Sequence, residues 1–196
     1  MAYARRAGAS IHYSAAGRGA PLVLIEGLGY GPWMWREQTG PLGAARSLLL
    51  VDNRGISPST PLSGPYSIDE FAQDVLAVLD AEGLPRASLL GVSMGGFIAQ
   101  ALARLAPERV ERLVLVSTSP GGPGALPMPA ETWAELVRNV QGESAADRLR
   151  RTMTLALSPT FATQRPHDFD ALIQARLTAP QDPQQWAWQA EAAVPF

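Results

Sequence analysis

Residues Gly91-Val92-Ser93-Met94-Gly95-Gly96 carry the strongest chemical signal in the chain, a serine in the pattern G-x-S-x-G. A serine hydroxyl attacks a carbonyl only when it is lifted clear of the backbone and when a neighbouring group takes its proton. Glycines on both sides allow the close backbone approach that such a sharp turn requires. The pattern needs a strand before it and a helix after it. Residues 88–92 supply an apolar strand, and residues 95–105 supply a helix of small side chains that stops before Pro107. Ser93 then sits at a helix N-terminus, where free N–H groups and the macrodipole favour developing negative charge. The plainer reading is a glycine-flanked serine in an ordinary strand–helix turn. The strand and helix on either side favour the nucleophile turn.

Composition removes most other chemistries. The chain has 196 residues, no cysteine, and 16 basic residues that are all arginine, against 18 acidic ones for a net charge of −2. Disulfides, thiolate-held zinc, iron–sulfur clusters and a thiol nucleophile are excluded. The lack of lysine excludes Schiff-base chemistry and a phosphate-loop lysine. A near-neutral chain without a basic run is a poor binder of nucleic acid. No feature calls for a metal or an organic cofactor. The longest apolar runs, residues 21–25 and 47–51, are far shorter than the ~20 residues of a membrane span. Met1-Ala2-Tyr3-Ala4-Arg5-Arg6 has no apolar stretch behind its arginines and does not read as a signal peptide. These features make a cytoplasmic protein that does not bind membranes the expectation.

The elements that must position Ser93 alternate between strand and helix. Residues 10–16 read as a strand followed by the turn Gly17-Arg18-Gly19. Residues 21–25, 47–51, 88–92 and 110–116 read as strands buried on both faces, and residues 33–38 as a short helix. Ser67 opens a helix whose apolar positions Ile68, Phe71, Val75, Leu76 and Leu79 recur at helical spacing, with Asp69 and Glu70 in its first turn. Strands joined through helices imply a mostly parallel α/β sheet with right-handed crossovers. A Pro/Gly-rich linker begins near Ser119-Pro120-Gly121-Gly122. Beyond it the spacing predicts helices over 132–140, 145–157, 169–177 and 184–193. The predicted domains are a core over 1–119 and a helical subdomain over 120–196.

On these residues the chain resembles the α/β-hydrolase superfamily, in particular its cap-bearing esterase, lactonase and non-heme haloperoxidase-like group. The resemblance runs from about residue 10 to 119, including Asp52-Asn53-Arg54-Gly55 as the D-x-R-G turn and Pro107-Glu108-Arg109-Val110 leading into the next strand. It implies a mostly parallel sheet flanked by helices, a C-terminal helical cap, and the absence of the fold's last strands and helix. It implies Ser93 as nucleophile and the backbone N–H groups of Leu28 and Met94 as the oxyanion hole. Such aimed donors are worth ~2.7–4 kcal/mol each in acyl-transfer sites. It also implies a substrate site along Gly27-Leu28-Gly29 and an apolar pocket shaped by cap residues including Trp133, Met153, Phe161, Trp186 and Trp188. The plainer reading of those aromatics is the cap's own core.

Two departures stand out. The family carries His where this chain has Glu26. Glu26 is expected to brace the loop by accepting backbone hydrogen bonds; the alternative is a carboxylate that repels anionic intermediates. The family places its acid and catalytic His after the cap, whereas this chain holds only His12 and His167. His12, in an early strand, reads as structural. His167, at the start of a cap helix, is the remaining candidate base and must come within ~3 Å of Ser93 to act. Asp168, Asp170 and Asp182 read as helix-start or loop acids, and Asp52 as structural.

The functional expectation is a serine hydrolase acting on a small carboxylic ester or lactone through a Ser93 acyl-enzyme, with its catalytic set incomplete in this chain. The alternative is an inactive binding or interaction protein on the same fold. Peracid chemistry needs the same imidazole, and dehalogenation needs a carboxylate where Ser93 stands. Without further strands, residues 113–116 would form an apolar sheet edge prone to self-association.

Overall fold

The computed structural model describes residues 2–138, 140–194 and 196. They form two compact units, Met1–Ala125 with Gln181–Phe196, and Leu126–Pro180.

The first unit is built on strands β1 (Ala2–Arg6), β2 (Ala9–Gly17), β3 (Ala20–Ile25), β4 (Arg46–Val51), β5 (Ala87–Val92) and β6 (Val110–Val116). They form one sheet in the order β1-β2-β4-β3-β5-β6. β1–β2 and β2–β4 are antiparallel, while β4–β3, β3–β5 and β5–β6 are parallel, which gives the mostly parallel sheet expected. The continuous apolar runs of β3, β4 and β5 follow from burial on both faces. Val23, Ile25, Leu49 and Val51 point into one core, and Leu22, Leu24, Leu48 and Leu50 into the other. β1 has no counterpart in the sequence reading. Only its Ala4 is buried, opposite Ile11, so two arginines and a tyrosine hide the strand signal.

Helix α1 (Arg36–Gly43), entered through a 3-10 turn at Pro32–Trp35, lies on the second face, where Trp35 packs with Leu22 and Leu48. Helices α2 (Ile68–Ala81) and α3 (Met94–Leu105) cover the first face with Phe71, Val75, Val78, Leu79, Ile98 and Leu102. Ser67 caps α2 as expected, and with Glu70 it closes a full capping box. β6 is not the strand buried on both faces that its sequence suggests: it ends the sheet, with no strand beyond it among the described residues, and Leu113, Val114, Leu115 and Val116 stand 37–45% exposed.

The second unit contains α4 (Ala130–Val137), α5 (Ala145–Met153), α6 (Phe161–Gln164) and α7 (Pro166–Thr178). Met153, Phe169 and Ile173 form its buried core, with Leu149, Leu157, Phe161, Leu172 and Leu177 around them. The helix expected over 145–157 ends at Met153 and continues as a 3-10 turn. α7 starts three residues earlier than the pattern suggests, because Pro166 fits a first helical position. Residue 139, inside the helix expected over 132–140, lies outside the described residues.

The last helix, α8 (Pro183–Ala193), belongs to the first unit. The sequence reading drew one helical subdomain over 120–196. The structure groups 181–196 with the sheet because Ala192 joins the first core cluster and Trp188 and Ala193 pack against it. Among the described residues no helix is long and apolar enough to cross a membrane.

Candidate active site

Parallel register brings the serine turn and the loop after β3 together. Ile25 pairs with Gly91, so residues 26–28 run beside residues 92–94. Ser93 has φ +53° and ψ −119°, a conformation costly for a residue with a β-carbon. Four hydrogen bonds hold it there. Its N–H donates to the Val116 carbonyl at 3.0 Å, and its carbonyl accepts from Gly96 N–H at 2.8 Å and Phe97 N–H at 3.3 Å. Thr118 Oγ1 donates to that same carbonyl at 2.9 Å. The side chain is left exposed.

The flanking glycines are required by space. A β-carbon on Gly91 would lie 2.2 Å from the Gly95 carbonyl oxygen, and one on Gly95 would lie 2.2 Å from that of Ile25. Gly27 is close enough that a β-carbon there would touch Ser93 Cβ at 3.4 Å. Of the expected site residues, Gly27, Leu28, Gly29, Ser93 and Met94 therefore share the first unit. Met94 opens α3, so its N–H has no acceptor within the helix. Leu28 is fixed by bonds on either side that do not use its own N–H: Tyr30 N–H to the Gly27 carbonyl at 3.1 Å, and Gly29 N–H to Gln189 Oε1 at 3.0 Å.

Glu26 departs from expectation. It is fully buried, and neither carboxyl oxygen has a hydrogen-bond partner in another residue, so the brace anticipated from it is not found. Burial pushes its pKa well above the ordinary glutamate value; its own backbone amide opposes this and nearby Asp52 reinforces it. Burial thus works against the charge on which the repulsion alternative depends. Asn53 Nδ2 donates to the Glu26 carbonyl at 3.4 Å.

Behind this loop lie the groups read as structural. His12 Nδ1 bonds Asp52 in a buried pair. Burial raises the Asp52 pKa, and the His12 hydrogen bond and charge oppose that rise. Arg54 grips Asp74 of α2 through two bonds, at 3.0 and 2.7 Å, beneath the Tyr66 ring. Arg6 and Tyr66 also reach Asp74, each at 3.1 Å. Burial and the Asp74 charge raise the Tyr66 pKa, so its hydroxyl stays a donor.

The second unit holds the other expected site residues. His167 is exposed near the start of α7, and Trp133 is half-buried on α4. Asp168 pairs with Arg165 at 2.5 Å in the first turn of α7, Asp170 pairs with Arg150 at 2.7 Å, and Asp182 caps α8. Met153 and Phe161 belong to this unit's own core, whereas Trp188 packs in the first unit. Among the described residues no cluster of three or more His, Asp or Glu could hold a metal.

Two groups escaped the sequence reading. Thr118 holds the Ser93 carbonyl, with no local pattern to mark it. Gln185 and Gln189 reach the loops from α8, and their i,i+4 spacing on one helix face was the available signal.

The family described as alpha/beta hydrolase fold matches residues 20–194. A 2-hydroxy-6-oxononadienedioate/2-hydroxy-6-oxononatrienedioate hydrolase of Paraburkholderia xenovorans (strain LB400) is 36% identical over 174 residues, spanning 85% of this chain and 58% of that protein. The solved enol-lactonase from Burkholderia xenovorans LB400 superposes with a TM-score of 0.80 at 27% identity, covering 98% of this chain and 73% of that one. The structure described as Est816, an N-acyl homoserine lactone degrading enzyme, gives 0.79 at 27% identity, covering 100% and 75%. The chain spans about half the length of the curated relatives it matches.

Proposed function

From a chain that belongs to the alpha/beta hydrolase fold family, we propose a serine hydrolase whose substrate is a small carboxylic ester or lactone. The observation that carries this reading is Ser93, held at φ +53° by four backbone-directed hydrogen bonds with its hydroxyl exposed. Strain retained at an exposed serine between a strand and a helix N-terminus marks a site kept for reactivity.

In this reading Ser93 Oγ adds to the substrate carbonyl carbon. The carbonyl oxygen becomes an oxyanion that accepts from Leu28 N–H and Met94 N–H. Collapse breaks the bond to the alcohol oxygen and leaves an acyl-serine, which water then cleaves. Gly27, Leu28 and Gly29 line the acyl side. The proton acceptor is unassigned: His12 is committed to Asp52, and no step is given to His167 or Trp133, both on the second unit. The names of relatives support the substrate class, since they include an enol-lactonase and a lactone-degrading enzyme.

A second reading, a binding protein on the same fold, is favoured by one observation. Among the described residues no imidazole hydrogen-bonds the Ser93 hydroxyl, and a serine without a base is a weak nucleophile.

Hydrolysis of a short-chain aryl ester by the chain and by Ser93→Ala separates the two. Turnover lost in the variant supports the hydrolase. Equal rates support the binding protein.

A further inference from the structure

Resting on the serine-hydrolase reading above, we propose that Gln189 is a positioning residue that sets the loop Gly27-Leu28-Gly29 against Ser93. Gln189 lies on α8, 160 residues from the loop in sequence, and its side chain is completely buried. Its carbonyl oxygen accepts from Gly29 N–H at 3.0 Å and from Gln181 Nε2 at 3.0 Å. Its amide nitrogen donates to the Arg54 carbonyl at 2.9 Å. The amide orientation is fixed by its partners, since turning it over would set donor against donor at Gly29 and acceptor against acceptor at Arg54.

Each anchor is itself held. Arg54 is clamped to Asp74 on α2. One turn before Gln189, Gln185 bonds both polar groups of Leu62, accepting from its N–H at 2.6 Å and donating to its carbonyl at 3.1 Å. Gly55, at φ +89°, leaves room for both glutamines: a β-carbon there would lie 3.1 Å from Gln185 Oε1 and 3.3 Å from Gln189 Nε2. The loop that runs beside the serine is thus tied through one buried amide to the turn at 53–55 and, through Arg54, to α2.

The chemical consequence concerns Leu28. Its N–H works as an oxyanion donor only if the peptide planes on both sides are fixed, because donor strength falls steeply with angle. The Tyr30-to-Gly27 bond fixes one side of this turn, and Gln189 fixes the other. Glu26, at the head of the loop, provides no bond of its own through its carboxyl. Gln189 does for this loop what Glu26 does not.

Two readouts on the full chain test this. The first is hydrogen exchange at the Gly29 amide in the wild type, Gln189→Met and Gln189→Ala. Methionine fills the space without accepting a hydrogen bond. Gly29 is expected to be protected in the wild type and to exchange at least about tenfold faster in Gln189→Met, as loss of one buried bond implies, while core amides such as Ile98 keep their rates. An unprotected Gly29 in the wild type, or an unchanged rate in Gln189→Met, overturns the proposal. The wild-type arm decides even if the variants do not fold.

The second readout is the rate at which an alkyl fluorophosphonate modifies Ser93. The Ser93 oxygen–phosphorus bond forms, the phosphorus–fluorine bond breaks, and solvent takes the hydroxyl proton. The rate is expected to fall about tenfold in Gln189→Met, read at a temperature where circular dichroism shows the variant folded, because the phosphoryl oxygen uses the same donors. An unchanged rate overturns the positioning role. A wild type that reacts no faster than Ser93→Ala refutes the hydrolase reading and the positioning role built on it, while Gly29 exchange still decides whether the tether exists.

Discussion

The two compact units solve the problem of polar groups in opposite ways. In the first, charged and amide side chains are buried: Glu26, Asp52, Arg54, Asp74 and Gln189. In the second, the buried core is three apolar residues, and the ionic groups lie near the surface, where Arg151 joins Glu135 and Glu143 around α4 and α5. Burial makes each polar contact in the first unit costly to leave unmade and therefore directional. Nearby solvent weakens ion pairs such as Arg150–Asp170 and Arg165–Asp168 in the second. The first unit is built to hold a few atoms in place, and the second has far less that fixes it.

The largest expected difference comes from the backbone packing at the serine turn. Gly95→Ala should cost more than about 3 kcal/mol in denaturant unfolding, because its new methyl meets immovable backbone. Gly40→Ala on α1, where nothing lies within 4 Å, should be neutral or stabilising by a few tenths of a kcal/mol. Equal costs at the two positions would erase the contrast.

In the second unit, Ile173→Ala should cost about 2–4 kcal/mol. Its effect should be local, read as faster proteolysis within 126–180 while amides of β3 and β5 keep their exchange rates. Loss of protection across the whole chain would mean that the two units unfold as one.

Glu26 gives a pH-dependent effect that nothing in the second unit should match. Its pKa is higher folded than unfolded, so the folded state binds the extra proton. The stabilisation from that proton is complete below the ordinary glutamate value of 4.5 and is lost as pH rises through the folded pKa. Glu26→Gln, nearly the same shape with no proton to lose, should therefore gain stability relative to the wild type as pH rises. Urea titrations of both proteins at a series of pH values measure this. A constant difference across pH would mean that the carboxyl is not held protonated.

At the sheet edge, exposed Leu113–Val116 should drive concentration-dependent self-association in sedimentation velocity, and Val114→Lys should weaken it. A monodisperse wild-type monomer would count against this. The smallest effect is expected at Arg151→Met. Its pairs with Glu135 and Glu143 lower both carboxyl pKa values; they lie near the surface and are partly buried, so the change in stability should shrink as salt is added.

What the sequence revealed, and what it hid, follows the same division. The serine turn was legible because Gly91, Ser93 and Gly95 state a backbone geometry within five residues. β3, β4 and β5 were legible because burial on both faces writes continuous apolar runs; β6 carries the same kind of run but stands exposed at the sheet edge. β1 was hidden because a half-buried outer strand needs only one inward residue, Ala4. The return of α8 to the sheet was hidden because it depends on contacts such as Gln189 to Gly29, which no local pattern encodes. The state of Glu26 was hidden for a related reason: its carboxyl is enclosed by segments far apart in the chain, and only the assembled sheet removes its water.

The central claim is that Ser93 is a nucleophile held ready by its backbone. Intact-mass analysis after exposure to an alkyl fluorophosphonate, followed by peptide mapping, tests it most directly. The account predicts one adduct, on Ser93, absent from Ser93→Ala. No adduct, or one that persists in Ser93→Ala, would contradict it.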